Sequence, residues 1–369
     1  MNNKKILLLG KVCGAYRAQN LIKTILDQGY NVSYSSFQYY RGVNNVKLFD
    51  ILMMPFFVIC TLIKSLWADC ILVLPMNHKY FLMAYLSKVL FGRKIITDMY
   101  ISLYDTGLDR GWYRDENSIK AKYHKFIDKM MIEHSDALIS LSQFELDYVV
   151  ELVGAQTNKV SLYTIPLCVD IKPIAFPSSS SLFRVCWWGT FIPLHGLEKI
   201  IEAINILKQQ KMAIQLDIFG TPGPLVQYYK DLVIHKELTD CISVTTEKTF
   251  SNNQLTVHLQ SKCDLALGNF GDSAKAKTVL VNKVVDAFAM GIPVLTMRTL
   301  ALDELIDSQN ELFISEATSE AIAKSIRQIA NDRENAKKIA RAGHLRYRET
   351  FSYDVFKIRV EKVLHDCGL

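Results

Sequence analysis

Two short apolar runs, each followed by a glycine-containing loop and a helix-spaced apolar pattern, constrain this chain more than any other feature. Residues 5–9 (KILLL) lead into GKVCGAY, after which Leu21, Ile22, Ile25 and Leu26 recur at helical spacing until Gly29 closes the segment. Residues 30–35 resume as a strand, so the opening reads as a βαβ unit. The second start is at residues 183–188 (FRVCWW). There Gly189 and Gly196 flank a loop, and Ile200, Ile201, Ile204 and Leu207 mark the next helix. Residues 214–219 give another strand, ended by the turn at Gly220, and strands alternate with helices as far as Thr296. The expected fold class is α/β, with two doubly wound Rossmann-like domains, and 369 residues suffice for two separate cores. The run PSSSS at residues 177–181 is the linker candidate. It places an N-terminal domain at residues 1–176 and a C-terminal one at residues 183–350.

Composition excludes several classes. Hydrophobic residues make up 50% of the chain and charged ones 22%, which is ordinary for a globular protein and argues against disorder. The net charge of +6 is spread along the chain, so it favours anionic substrates or lipid headgroups over nucleic acid. Eight cysteines occur without a C-x-x-C pair, and they read as reduced, buried thiols of a cytoplasmic protein. The start MNNKKILLLGK has too short an apolar core for a signal peptide. The most apolar run, residues 51–63, is well short of the roughly 20 residues of a membrane span. Residues 49–67 form an expected helix that is apolar nearly all round. Burial under the first domain is the default for it, and a face resting on a membrane is the alternative.

Chemistry concentrates in residues 263–296, which read as strand, polar loop, helix and strand. The helix is expected from Asn282 as N-cap to Gly291 as terminator, followed by Pro293 and a strand at 294–295. Asn282, Lys283 and Asp286 share one flank near its start. An anion is favoured there by the helix dipole and by the Lys283 charge, and a carboxylate one turn in can accept hydrogen bonds from a ribose diol. A plain solvated Lys–Asp pair has the same spacing. In the N-terminal half, residues 98–117 (DMYISLYDTGLDRGWYRDEN) follow a strand and are rich in acids and aromatics, where open α/β sheets put their ligands. Asp98, Tyr104 and Asp105 are the candidates there. Gly10 and Gly14 do not make a G-x-G-x-x-G fingerprint, and no Walker loop, H-E-x-x-H, G-x-S-x-G or Asp-x-Asp is present, so neither NAD nor a metal is expected.

The strings NK-x-x-D-A-F-A-M-G-I-P-V and GNFG-x-x-x-KAK resemble the nucleotide-sugar site of family 4 glycosyltransferases of the GT-B fold. The D-x-x-x-S-L-Y-D-T string resembles the acceptor-side loop of some bacterial members. The resemblance covers nearly all of the second domain and is diffuse in the first. It implies two Rossmann-like domains facing across a cleft, with a last helix (352–369) returning to the first domain. It also implies donor binding by Gly189, Thr190, His195, Gly196, Gly220, Asn282 and Asp286, and an acceptor side that includes Gly14, Asp98 and Tyr104.

This chain departs from the family at two places. Thr190 and His195 stand where an arginine and a lysine are common, and the family's paired glutamates map onto Thr278 and Asp286. Lys275, Lys277 and Lys283 are then the candidates for meeting the diphosphate charge, and Asp105 is the candidate base if one is used. The implied function is a retaining, metal-independent transfer of a sugar from a UDP- or GDP-sugar to a saccharide or lipid-linked acceptor. Its setting is bacterial surface-glycan synthesis, in the cytoplasm or at the inner face of the plasma membrane, with possible peripheral membrane contact and no nucleic acid. The departures leave open a non-catalytic subunit that binds a nucleotide or glycan and supports a partner enzyme. A sugar-nucleotide epimerase shares the fold.

Overall fold

The computed structural model describes residues 4–12, 16–37, 48–171 and 182–369. Gly14 and the run at 177–181 lie outside these residues. The chain divides into two compact units, Met1–Cys168 with Tyr353–Leu369, and Val169–Ser352.

In the first unit the chain runs β1 (Lys5–Leu9), α1 (Tyr16–Asp27), β2 (Asn31–Ser35), α2 (Leu48–Leu66), β3 (Cys70–Val73), α3 (Phe81–Phe91) and β4 (Lys94–Asp98). It continues with α4 (Leu103–Asp109), α5 (Ile119–His134), β5 (Ala137–Ser140), α6 (Gln143–Val153) and β6 (Ser161–Thr164). The strands form one parallel sheet in the order β2-β1-β3-β4-β5-β6. The apolar run of β1 serves both faces, as a doubly covered parallel strand must. Ile6 and Leu8 join the core formed with Leu21 and Ile25 of α1, whereas Leu7 and Leu9 join Phe81, Ala84, Ile127 and Met131.

The second unit contains β7 (Phe183–Gly189), α7 (Leu197–Gln209), β8 (Ile214–Gly220), α8 (Leu225–His235), β9 (Ile242–Thr245), α9 (Gln254–Lys262) and β10 (Leu265–Leu267). It continues with α10 (Ala274–Thr278), α11 (Asn282–Met290), β11 (Val294–Thr296), α12 (Leu300–Leu305), β12 (Phe313–Ile314), α13 (Ser319–Asn331) and α14 (Arg333–Arg346). Its sheet is also parallel, in the order β12-β11-β10-β7-β8-β9. The last helix, α15 (Tyr353–Asp366), belongs to the first unit and places Phe356, Val360, Val363 and Leu364 on the Ile6/Leu8 face of that sheet.

Two expectations need correction. The D-x-x-x-S-L-Y-D-T string, which resembles an acceptor-side loop, is helical from Leu103, because α4 forms there with Ser102 as its N-cap, the Ser102 hydroxyl accepting from Asp105 N. The helix at 49–67 is not buried all round either: Thr61, Ser65 and Ala68 are buried, whereas Phe56, Ile59, Ile63 and Trp67 are exposed. The apolar residues crowd the sequence, but only one side of the helix meets the sheet. Among the described residues, no helix is long and apolar enough to cross a membrane.

Candidate active site

Strand order in the second unit reverses between β7 and β10, which lie side by side. Chains leaving the carboxyl ends of these two strands turn to opposite sides, and such a switch point leaves a crevice for a ligand. Here the two loops are laced together. Phe270 N donates to His195 O at 3.1 Å and Gly271 N to Leu194 O at 3.1 Å. The lacing needs bare glycine at its crossing points. Gly196 has φ of +59°, and a Cβ there would sit 2.4 Å from the Phe270 carbonyl oxygen. Gly196→Ala is therefore expected to cost about 2 kcal/mol or more of unfolding free energy, from the left-handed backbone and the clash together. Urea unfolding would measure it, and an unchanged midpoint would reject the role.

The laced loops hold a small buried group of charges. Lys283, in the first turn of α11, is buried and sends its Nζ to within 3.2 Å of both ring nitrogens of His195. The same Nζ lies 4.7 Å from the centroid of the Trp187 ring, a cation–π arrangement. Gly189 borders it, with a φ of +140°, and a Cβ there would lie 3.2 Å from Nζ. One turn along, Asp286 Oδ2 accepts from Trp188 Nε1 at 2.9 Å. Asp286 Oδ1 is buried with no hydrogen-bond partner among the described residues. Leaving a buried acceptor unmet costs about 1–3 kcal/mol, and more for a charged group, so this oxygen has room for a further donor.

Burial sets the titration of both groups. It pushes the Lys283 ammonium down to about 7, with the Asp286 charge opposing only in part. It pushes the Asp286 carboxyl up to about 7 against the Trp188 hydrogen bond and the Lys283 charge. Opposite desolvation shifts on neighbouring groups in a crevice are a mark of functional sites.

Other residues singled out in the sequence are placed as follows. Asn282 is the first helical residue and not the cap: Val281, in extended conformation, occupies the N-cap position. Lys275 and Lys277 are not on a loop but on α10, which Ser273 caps by accepting from Ala276 N. Lys275 is buried there and Lys277 exposed. Thr278 turns its hydroxyl back to Ala274 O at 2.9 Å, so the position of the absent acid serves the end of α10. Thr190 is exposed. Gly220 pairs in register with Gly189, and a Cβ on it would sit 2.1 Å from the Phe191 ring. Its bareness makes room for that ring.

In the first unit the switch point lies between β1 and β3, and there a side chain occupies the space. Asn77 Oδ1 accepts from Lys11 N at 2.7 Å, its Nδ2 donates to Lys11 O at 2.8 Å, and a Cβ on Gly10 would meet its Oδ1 at 2.7 Å. Asp98, at the end of β4, is buried and pairs with Arg17 Nε at 2.7 Å, while Arg17 Nη1 donates to Ile165 O and Pro166 O. Burial raises the Asp98 pKa against the Arg17 charge. Tyr104 stacks on Tyr113, with ring centroids 5.8 Å apart, and is buried. Asp105 is buried as well, and its Oδ1 accepts from Tyr148 Oη at 3.0 Å. His78 Nε2 donates to Ile101 O at 2.8 Å and lies 3.7 Å from the fully buried Asp128.

One further buried cluster has metal-ligand chemistry by residue type. Cys186, Asp217 and His258 bring ligand atoms within 4.8 Å of one another. Asp217 is already engaged, by Arg184 Nη1 at 2.7 Å, Ser243 Oγ at 2.8 Å and His258 Nε2 at 2.9 Å, and Lys248 Nζ lies 3.0 Å from His258 Nδ1. Burial would raise the Asp217 pKa, but hydrogen bonds from His258, Arg184 and Ser243 outweigh it and hold the group well below the usual range. With two cationic side chains at its edge, the cluster works as a polar tie across β7, β8, β9 and α9, not as a cation site.

Comparison with known proteins gives this arrangement its context. Residues 183–346, which include the laced loops and α11, match the family of glycosyl transferases group 1. A curated relative, the uncharacterized glycosyltransferase YqgM of Bacillus subtilis (strain 168), is 27% identical over 145 residues, 39% of this chain. The aligned part spans 38% of that relative's length. Sucrose-phosphate synthase of Thermosynechococcus elongatus superimposes with a TM-score of 0.78 at 13% identity, over 99% of both chains. Anabaena Alr3699/HepE, solved with UDP and glucose, gives 0.69 at 15% identity over 99% of this chain and 100% of its own. A glycosyltransferase from Rickettsia africae gives 0.71 at 14% identity over 100% and 99%. The chain thus has the two-domain α/β fold of GT-B glycosyltransferases, and most of its second unit is similar to the glycosyl transferases group 1 family.

Proposed function

We propose that this protein is a retaining, metal-independent glycosyltransferase that moves a sugar from a UDP- or GDP-sugar to a saccharide or lipid-linked acceptor. The observation that carries the reading is the unmet Oδ1 of buried Asp286, one turn from buried Lys283 at a switch point. Asp286 takes the ribose hydroxyls, and Lys283 with the start of α11 faces the diphosphate. UDP in the HepE structures favours uridine as the base. The bond between the sugar C1 and the β-phosphate oxygen breaks with its electron pair going to that oxygen. The acceptor oxygen bonds C1 on the same face, and its proton passes to the departing phosphate. No separate base is required, and Asp105 keeps its contact with Tyr148. Such a transfer serves surface-glycan assembly at the inner face of the plasma membrane.

The reading has a pH signature. In the free protein the Lys283 proton comes off near 7, and a bound diphosphate holds it on, so binding takes up a proton above that pH. Affinity for UDP is therefore expected to fall as pH rises from 7 towards 9, by up to about tenfold per unit. Below 7 the Asp286 carboxyl is protonated in the free protein, and the ribose donors favour its charged form, so affinity falls again towards pH 5. Calorimetric titration with UDP in buffers of different ionisation enthalpy reads both limbs. A flat profile would remove the assignment.

A non-catalytic binding subunit is the second reading, favoured by Thr278 at the place of the first acid. Slow release of nucleoside diphosphate from a donor sugar without acceptor supports the enzyme. Tight donor binding with no release and no transfer supports the subunit.

A further inference from the structure

In the first unit, α2 and α3 pack against each other over one face of the sheet. Their inner sides are accounted for by the core: Thr61, Ser65 and Ala68 from the α2 segment, and Phe81, Ala84 and Ser87 from α3, are all buried. The opposite sides are apolar too. Phe56, Ile59 and Ile63 recur at helical spacing along α2 and are exposed, with Trp67, 71% exposed, just beyond its end. On α3, Leu86 and Val89 are exposed in the same sense. Two neighbouring helices thus leave bulky apolar side chains exposed on the sides turned from the core, and exposed apolar patches mark contact surfaces.

Charge selects the occupant. From residue 48 to residue 93 the sequence has two acids, Asp50 and Asp69, against Lys64, Lys79, Lys88 and Arg93, and Lys88 is paired with Asp136 at 2.8 Å, so Lys64, Lys79 and Arg93 make the basic fringe. Asp69 is turned to the sheet, accepting from Lys5 N at 2.8 Å. A second copy of the chain would bring the same basic fringe against this one, whereas an anionic bilayer complements it. An aromatic-aliphatic face edged by lysine is the composition of a helix lying in the headgroup region.

We infer that the outer face of α2 and α3 is a docking surface for an anionic lipid bilayer, entered by Phe56, Ile59, Ile63 and Trp67. The surface rests on its own exposure and charge. The assay below uses neither donor nor acceptor, so its failure is separate from a failure of the transferase reading.

The test is flotation of the full chain with vesicles of phosphatidylglycerol and phosphatidylcholine, against vesicles of phosphatidylcholine alone. The protein is expected to float with the mixed vesicles and at least about tenfold less with the neutral ones. The double substitution Ile59→Glu/Ile63→Glu should reduce flotation by about tenfold or more while UDP binding and circular dichroism stay unchanged. Should that variant fail to fold, the unmodified chain still decides: brominated lipid should quench its tryptophan fluorescence, and Trp67→Phe should remove most of the quenching. No flotation with either vesicle, or flotation unaffected by the glutamates, overturns the proposal. So does a dimer in light scattering that the glutamates dissociate, since the face would then be covered by a second copy.

Discussion

Lys283→Met is expected to lower kcat by about 10²–10³ while raising the donor KM much less. As the glycosidic bond breaks, negative charge builds on the departing diphosphate, and a contact that strengthens with that charge acts mainly on the transition state. Methionine keeps the length of the stem, and it removes an ammonium whose burial depresses its pKa, so the fold should hold. His195→Ala is the informative partner. With Nζ 3.2 Å from both imidazole nitrogens, two full positive charges would repel strongly in a buried place, so the two residues carry at most one cation between them. If Lys283 is that cation, His195→Ala is the milder change. Steady-state kinetics of both variants decide it. Near-normal turnover in Lys283→Met together with a dead His195→Ala would move the phosphate contact to the histidine.

The second large effect belongs to Asp286. On the proposed reading Asp286 accepts from a ribose diol, a charge-assisted contact of about 1.5–3 kcal/mol, so Asp286→Ala should bind UDP roughly ten- to a hundredfold more weakly. A lost sugar contact also predicts lost discrimination. The wild type should prefer UDP to 2′-deoxy-UDP, and the variant should bind the two nearly alike. Calorimetry with both nucleotides checks this, and a folded variant with unchanged UDP affinity would refute it. Trp188→Phe, which frees Oδ2 but leaves the carboxylate, should fall between.

Much of this region was legible in the sequence because its signals are local. Helical spacing, a glycine at 291 and a proline two residues on mark the end of α11, and Gly291 does adopt the left-handed cap at φ +70°. The partners of the site were not legible. Trp188 donates to a residue 98 positions away, and nothing in either segment announces the pair. An Asp–Lys spacing of three has the same appearance on a solvated flank and in a buried crevice, and only the covering loops decide between them. The helix α10 spans too few residues to show a period. The N-cap was misplaced by one position because Asn282 is a good capping residue by type, whereas the backbone enters the helix one residue earlier. The α2 segment misled differently. Apolar residues on both its sides suggested full burial, and a sequence does not record which side the sheet covers.

The membership of α15 in the first unit bears on the order in which this protein assembles as it is made. Residues Val169–Ser352 are contiguous, so the second unit has all of its strands and helices as soon as that stretch has left the ribosome. The first unit does not. Its sheet is synthesised earliest, yet the Ile6/Leu8 face lacks Phe356, Val360, Val363 and Leu364 until α15 emerges. During that interval a sheet face covered by α1 but not yet by α15 is held in the first unit while nearly two hundred further residues are added. The part made first is therefore the part completed last, and it is the one exposed to chaperones and to aggregation during synthesis.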